Sequence, residues 1–200
     1  MKKSPYKLGL TGSIGMGKST TARLFQDAGC AVWDADAAVH RLYAKGGAAV
    51  AVIAKLLPDA VVDGAVSRDM LKKHISDNPT ILREIEQIVH PLVAKDRIEF
   101  LRETDRDIAV LDIPLLFETG SEKFVDSVVC VSVAPEIQRA RVLERGTMTE
   151  QQFEAILAKQ LPDAEKRRRS DYVIWTDTLE RAQEQVQAIV IDIRGKLAHA

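Results

Sequence analysis

The stretch that decides the fold covers eight residues near the amino terminus and reads Gly12-Ser13-Ile14-Gly15-Met16-Gly17-Lys18-Ser19. It satisfies the pattern G-x-x-x-x-G-K-[S/T] at every position. An apolar run precedes it and a helical pattern follows it, so the stretch joins a strand to a helix. Glycines let backbone N–H groups approach phosphate oxygens, and a helix N-terminus adds partial positive charge. The stretch therefore predicts a nucleoside triphosphate site, with Lys18 on the β/γ-phosphates and Ser19 as a ligand of Mg²⁺.

Short apolar runs alternate with helical patterns along the rest of the chain. We predict five strands, over residues 7–12, 31–34, 108–113, 127–133 and 172–175. Apolar runs separated by helices are typical of parallel strands that are buried on both faces, with right-handed crossovers between them. The predicted fold class is therefore α/β, built on a five-stranded parallel sheet.

Two spacings are too long for single crossover helices. About 70 residues separate the second and third predicted strands, and we interpret residues 36–105 as an inserted helical region that binds the substrate. Within this region, His90-Pro91 is predicted to break a helix. Residues 135–165 contain two helical patterns joined near Gly146, and we interpret them as a lid. The nucleotide-binding core then consists of residues 1–35, 106–134 and 166–200.

The composition excludes several classes of protein. The 200 residues are 46% apolar and 28% charged, as in an ordinary globular domain, and the net charge is −1. A chain so close to neutral has no positive electrostatic field that would attract long nucleic acids or anionic membranes. Cys30 and Cys130 lie far apart in the sequence, so we expect no disulfide framework and a reducing compartment. No apolar run is long enough for a membrane span or a signal peptide, and we expect a cytoplasmic protein.

The remaining motifs favour a kinase that acts on a small metabolite. No guanine-reading Asn-Lys-x-Asp motif occurs, and Asp112 at the end of the third strand is not followed by the Glu of many ATPases. A kinase needs a base beside the acceptor hydroxyl, and Asp34-Ala35-Asp36 supplies one at the carboxyl end of the second strand. If the chain is still extended there, both carboxylates point the same way. The alternative is that Asp36 only caps a helix beginning at Ala37.

Charged side chains near the fourth strand have two interpretations. Gln138, Arg141 and Arg145 form one stripe of a helix, which suits a lid that closes on transferring phosphate or, alternatively, a solvated face. Arg139 points elsewhere. His90 could hold a substrate phosphate or could be a packed or capping residue. The basic run over residues 166–169 is interpreted as a solvated helix end.

Taken together, these motifs resemble the dephospho-coenzyme A kinase family over residues 8–174. The resemblance depends on the order of several motifs: the glycine-rich loop with Thr20, Asp34-Ala35-Asp36, Arg68, Val89-His90-Pro91, Ile113-Pro114-Leu115-Leu116-Phe117-Glu118, Gln138 with Arg141 and Arg145, Gln160, Lys166 and Asp171. The resemblance implies a P-loop kinase core, a helical region for coenzyme A and a lid. It implies that ATP with Mg²⁺ phosphorylates the ribose 3′-hydroxyl of dephospho-CoA, in the last step of coenzyme A synthesis.

The same resemblance implies roles for individual residues. Asp34 would be the base, and Lys18 and Arg141 would stabilise the γ-phosphoryl group. The nucleotide would be bound by Gly12, Ser13, Ile14, Gly15, Met16, Gly17, Lys18, Ser19, Thr20 and Arg145. The acceptor would be bound by Asp36, Arg68, His90, Pro114, Leu115, Leu116 and Glu118. The chain departs from the family after the fifth strand, where Asn and Gly are common and this sequence has Trp175-Thr176-Asp177. The family does not require an acid at Asp112, which stays a weak metal candidate.

Two other functions stay open at this point. One is a P-loop kinase for a different metabolite or nucleotide, and the other is an ATP-binding module without catalysis. The expected partners are ATP and dephospho-CoA, with no nucleic acid polymer and no membrane, and a homo-oligomer is left as an alternative.

Overall fold

The computed structural model describes residues 4–199 and divides into two compact units. The first contains the chain up to Trp33 and again from Thr104 onward, and the second contains Asp34–Glu103. In the described part of the chain, no helix combines the length and the apolar character that a bilayer span requires.

A five-stranded sheet forms the centre of the first unit. Its strands lie in the order β2-β5-β1-β6-β7, and their bounds are β1 Tyr6–Thr11, β2 Ala31–Asp34, β5 Ile108–Asp112, β6 Ser127–Ser132 and β7 Tyr172–Trp175. The pairings of β1 with β5 and β6, and of β6 with β7, are parallel. Every residue of β5 and β6 is buried, because helices cover both faces of the sheet. The predicted fold class and all five strands are confirmed.

Helices flank this sheet. Those of the first unit are α1 Lys18–Asp27, α6 Pro135–Glu144, α7 Glu150–Leu157, α8 Asp163–Arg169 and α9 Leu179–Ala198, together with a 3₁₀ turn over Ser121–Phe124. The apolar stripe of α9 packs into the core through Val186 and Ile193. Thr149 and Gln152 form a capping box at the start of α7.

The second unit is helical and has its own apolar core. Its helices are α2 Ala35–Tyr43, α3 Val50–Leu56, α4 Arg68–Asp77 and α5 Ile81–Glu103. A 3₁₀ turn over Pro58–Ala60 leads into a small hairpin of β3 Val61–Val62 and β4 Ala65–Val66. Leu42, Ile53 and Ile85 belong to the core between these helices. A separate core means that this insertion is stabilised by its own packing.

The expected helix break at His90-Pro91 is wrong. Helix α5 continues through Pro91 for twelve more residues, to Glu103. Proline has no N–H, and the residue before it disfavours the α conformation, but these are local preferences. Val89 is buried in the core of the unit, while Pro91 itself is exposed. Packing of the helix therefore outweighs the loss of one backbone hydrogen bond.

We expect Pro91→Ala to stabilise the second unit. Alanine restores an N–H at this position and removes a ring that costs a helix interior about 3 kcal/mol, so we expect the free energy of unfolding to rise by about 1–3 kcal/mol. Chemical denaturation followed by circular dichroism measures the change. Pro58→Ala is the matched control, because Pro58 is also exposed and stands at the start of a 3₁₀ turn, where proline is tolerated. A Pro91→Ala protein no more stable than the parent would contradict the expectation.

Candidate active site

The glycine-rich loop leaves β1 and leads directly into α1. Gly17 is the N-cap of α1 and has φ of 88°, and Gly15 has φ of 79°, so both use the left-handed region that favours glycine. Gly12 is required for a different reason. A Cβ atom there would lie 2.3 Å from Val131 Cγ2 and 2.9 Å from the Val131 carbonyl oxygen. The loop backbone thus lies against β6 with no room for a side chain.

Two glutamine side chains hold the middle of this loop. Gln138 Nε2 donates to the Ile14 carbonyl over 2.7 Å, and the Ile14 N–H donates to Gln160 Oε1 over 3.2 Å. Gln138 is buried, and a Cβ on Gly15 would lie 2.5 Å from Val142 Cγ2, one turn further along α6. Residues of the predicted lid segment therefore fix the conformation of the loop that is expected to bind phosphate.

Lys18 forms an ion pair with Asp112 at the end of β5. The Asp112 side chain is only 3% exposed, and the lysine is 17% exposed. A charge pair with so little solvent is held strongly, because nearby water cannot replace the partner. The lysine is therefore already fixed at the carboxyl edge of the sheet, where the loop begins.

Arg141 and Arg145 line a cavity of about 200 Å³ beside the first turn of α1. The other residues of its wall come from α1 and from the segment after β7: Gly17, Thr20, Thr21, Thr176, Thr178, Leu179 and Ala182. Arg141 donates through Nη1 to Thr176 Oγ1 over 3.1 Å and through Nη2 to the Thr176 carbonyl. Arg139 instead pairs with Glu150, so it does point elsewhere. The cavity combines cationic and hydroxyl groups next to the glycine-rich loop.

The segment from Pro114 to Glu118 contains both exposed and buried side chains. Leu115 is exposed, but Leu116 is fully buried in the first unit, where its Cδ1 would lie 3.1 Å from a Cβ on Gly9. We therefore assign Leu116 to the core and not to the acceptor surface that the resemblance implied. Pro114 receives a hydrogen bond from the Thr11 hydroxyl over 3.1 Å, which ties the segment to the strand before the loop.

Glu118 is held by two donors from a later part of the chain. Its Oε1 accepts from Lys166 Nζ over 2.9 Å and from the Leu161 N–H over 2.8 Å. Burial alone would raise the pKa of the Glu118 carboxyl, but the hydrogen bonds from Lys166 and Leu161 outweigh it and hold the pKa below its ordinary value. Glu118 is therefore an ionised anchor between this segment and residues near the end of the predicted lid.

The interpretation of residues 166–169 as a solvated helix end is wrong for Lys166. This side chain is fully buried, between Glu118 and the Pro114 carbonyl at 3.4 Å. Arg168 is 73% exposed and matches the interpretation, since its partner is Glu165 within the same helix. Consecutive positions on a helix face different directions, so a run of like residues divides between core and solvent.

The second unit contains the other candidates. Helix α2 begins at Ala35, so its N-cap is Asp34, whose Oδ1 accepts from the Ala37 N–H over 2.9 Å. Asp36 is therefore not the cap, and the two acids do not share an extended segment. Asp34 closes β2, so it stands at the carboxyl end of a strand, and its side chain is exposed.

Arg68 and His90 are also exposed residues of the second unit. Arg68 is the first residue of α4, after the N-cap Ser67, and His90 lies within α5. Burial raises the pKa of the neighbouring Tyr43 hydroxyl, and the charge of Arg68 opposes that rise. Arg68 and His90 are both exposed, and His90 lies inside α5, so it is neither a buried nor a capping residue.

Sequence reasoning did not predict the contacts that three residues make at the site in the first unit. Asp112 pairs with the loop lysine, Lys166 anchors the 114–118 segment, and Thr176 binds Arg141. Asp112 and Thr176 stand at the carboxyl ends of β5 and β7, where ligands bind in open α/β sheets. Asp112 was already a weak metal candidate, and that rule, applied to the fifth predicted strand, would also have marked Thr176. The burial of Lys166 had no signal in the sequence.

The sheet and the loop together define a P-loop kinase, and solved structures agree. The chain matches a crystal structure from Thermus thermophilus with a TM-score of 0.84 and 32% identity, over 95% of this chain and 98% of that one. Dephospho-CoA kinase from Campylobacter jejuni (TM-score 0.70, 20% identity, 95% of this chain and 98% of that one) has the same fold. So does shikimate kinase from Acinetobacter baumannii (TM-score 0.54, 19% identity, 98% and 96%).

Sequence comparison identifies the particular family. Residues 6–181 match the family model for dephospho-CoA kinase. The chain is 63% identical to a dephospho-CoA kinase of Ruegeria pomeroyi over 98% of this chain and 99% of that protein. It is 57% identical to a dephospho-CoA kinase of Cereibacter sphaeroides over 95% of this chain and 96% of that protein. The chain belongs to the dephospho-CoA kinase family, and the family predicted from the sequence is confirmed.

We expect Lys166→Met to destabilise the first unit by about 3 kcal/mol at pH 7, because it leaves the Glu118 carboxylate without its cationic partner. Since the pKa of Glu118 is held below its usual 4.5, the pair stabilises the fold above about pH 4.5 and loses that effect as the pH falls through the lowered pKa. Denaturant unfolding at pH 7 and at pH 3 measures both effects. Lys159→Met, at an exposed position, is the control. Equal losses of unfolding free energy in the two variants would show that the pair of Lys166 and Glu118 does not stabilise the fold.

Proposed function

We propose that the protein transfers the γ-phosphoryl group of ATP to the ribose 3′-hydroxyl of dephospho-CoA, giving CoA and ADP. The observation that carries this proposal is the complete glycine-rich loop, held against β6 with Lys18 at the sheet edge, in a member of the dephospho-CoA kinase family. Phosphoryl transfer depends mainly on positioning and on charge stabilisation, which this loop supplies. On this proposal the protein acts in the cytoplasm, where ATP is available.

The nucleotide would lie along the loop and in the adjoining cavity. Its β- and γ-phosphates meet the backbone N–H groups and Lys18 at the start of α1. Its base and ribose would lie by Thr178 and Leu179 in the same cavity, and its phosphates by the arginines. Arg145 is exposed and follows the last residue of α6, and it would add a second cationic group beside the phosphates. The arrangement supports the predicted roles of Lys18 and the two arginines near the transferring group.

The oxygen donors at the loop fit a magnesium ion. Mg²⁺ prefers hydroxyl, carboxylate and phosphate oxygens, and Ser19 offers an exposed hydroxyl in the first turn of α1. The Asp112 carboxylate stands at the same edge as the partner of Lys18. Bound with ATP, the ion would neutralise phosphate charge.

The acceptor would be bound by exposed polar groups of the second unit. Asp34 is the proposed base, because one carboxylate oxygen caps α2 while the other can accept the proton of the hydroxyl. Arg68 and His90 would bind acceptor phosphates. In this scheme, residues 36–105 recognise dephospho-CoA, and residues 135–165 form the lid that closes over the reacting groups.

The choice of acceptor is the decisive test of this function. We expect ADP release to depend on dephospho-CoA and not on shikimate or a nucleoside monophosphate, measured in a coupled assay with Mg²⁺·ATP. Lys18→Ala should abolish turnover, because the phosphates lose their main side-chain charge. Stimulation by another acceptor alone would assign the protein to a different P-loop kinase, and turnover that survives Lys18→Ala would exclude the loop from the mechanism.

Asp34→Asn tests the base. Asparagine caps helices as well as aspartate does, so the fold of α2 should be kept while proton acceptance is lost. We expect kcat to fall about 10²- to 10⁴-fold, with KM for ATP within about twofold of the parent. Asp69→Asn, at an exposed position in the first turn of α4, is the control. Unchanged turnover in Asp34→Asn would remove this residue from the chemistry, and a loss in Asp36→Asn instead would transfer the role to Asp36.

A further inference from the structure

Thr176 stands where three parts of the first unit meet. It follows β7 directly, it is only 7% exposed, and its N–H donates to the Ser132 carbonyl at the end of β6 over 3.0 Å. Its hydroxyl donates to the Met16 carbonyl of the glycine-rich loop over 2.7 Å. A buried polar group with defined partners holds its neighbours in one arrangement.

The same hydroxyl also accepts a hydrogen bond from Arg141. A threonine hydroxyl has one proton to donate and two lone pairs, so donation to Met16 leaves it free to accept from Nη1. The second guanidinium nitrogen, Nη2, donates to the Thr176 carbonyl. The result is a continuous chain of hydrogen bonds from Arg141 through Thr176 to the loop, with Arg141 held at two points.

Steric contact reinforces this link. A Cβ added to Gly17 would lie 3.1 Å from Thr176 Oγ1 and 3.2 Å from its Cβ. The threonine therefore packs directly against the residue that caps α1. Only a small side chain that carries both a donor and an acceptor can fill this position without moving the loop.

We propose that Thr176 is a positioning residue, which sets Arg141 against the glycine-rich loop before the nucleotide binds. The inference rests on the proposed function, because it assigns Thr176 to the nucleotide side of the proposed reaction. Thr176 acts here through Arg141 and need not contact the transferring group. Groups fixed in advance lose less entropy on binding and stabilise developing charge more effectively.

Two substitutions separate the hydroxyl from the shape of the side chain. Thr176→Val keeps the volume and the backbone hydrogen bonds but removes those of the hydroxyl, to Met16 and from Arg141 Nη1, and Thr176→Ser keeps the hydroxyl. We expect Thr176→Val to raise the Kd of a fluorescent ADP analogue about tenfold and to lower kcat/KM for ATP at least as much, with KM for dephospho-CoA unchanged. Thr176→Ser should restore binding to within about threefold of the parent. A merely structural threonine would give parallel losses for both substrates, and that result would overturn the proposal.

A double-mutant cycle tests whether Thr176 affects nucleotide binding through Arg141. If Thr176 acts through Arg141, Thr176→Val should weaken ADP binding less than twofold further in an Arg141→Ala background. If the double variant loses ADP affinity by the product of the two single-variant factors, the proposal is overturned. Thr11→Val is the matched control, since Thr11 is also buried and donates to a carbonyl, that of Pro114, and it should leave ADP binding unchanged.

The ADP measurement needs no acceptor, so it separates this inference from the proposed function. If dephospho-CoA fails as a substrate while Thr176→Val still weakens ADP binding and Thr176→Ser rescues it, the role of Thr176 stands and the acceptor is wrong. If dephospho-CoA is phosphorylated normally by Thr176→Val, the acceptor stands and the role of Thr176 is wrong.

Discussion

The glycine-rich loop must lie so close to β6 that one position has no space for a Cβ atom. At Gly12 that atom would meet Val131 at 2.3 Å, well inside the sum of the van der Waals radii. A loop that lies this close to a strand leaves no room for side chains on that side, and short residues let its backbone come near a phosphate. The neighbouring side chains follow from this constraint. Gln138, Gln160 and Thr176 each bind a backbone group of the loop, because a backbone bent away from regular structure leaves such groups without partners.

The same constraint explains why the polar residues of the first unit gather at one edge of the sheet. Parallel strands end together, so residues just beyond β1, β5, β6 and β7 become neighbours although they are far apart in the chain. Lys18 meets Asp112 there, and Arg141 meets Thr176. The core that packs on the sheet consists mainly of apolar side chains, such as Leu8, Val110 and Val129. A buried charge at this edge is therefore stable only beside another charge, which fixes the lysine in place.

Much of this organisation could be predicted from the sequence, and the failures share one cause. Strand positions, the loop and the α6 stripe follow from local patterns, namely runs of β-branched residues, a fixed motif and a helical spacing. Pro91, Lys166 and Leu116 depend on what packs around them. Local preference predicts a break at Pro91 and a solvated Lys166, but burial of Val89 and the pair with Glu118 decide otherwise. The acceptor contact of Leu116 was implied by the family resemblance, and its burial beside Gly9 assigns it to the core. The alternative that Asp36 caps α2 is wrong by two residues, since Asp34 is the cap and the two acids of Asp34-Ala35-Asp36 are equally good caps by residue type.

The departure from the family after β7 can be understood in the same physical terms. The family commonly has asparagine and glycine in this segment, whereas this chain has Trp175-Thr176-Asp177. The position next to Gly17 requires a small side chain that donates to the Met16 carbonyl and accepts from Arg141. A hydroxyl supplies both the donor and the acceptor, and threonine is small enough to fit beside Gly17. What the loop constrains at this position is therefore the pair of hydrogen bonds and the available space.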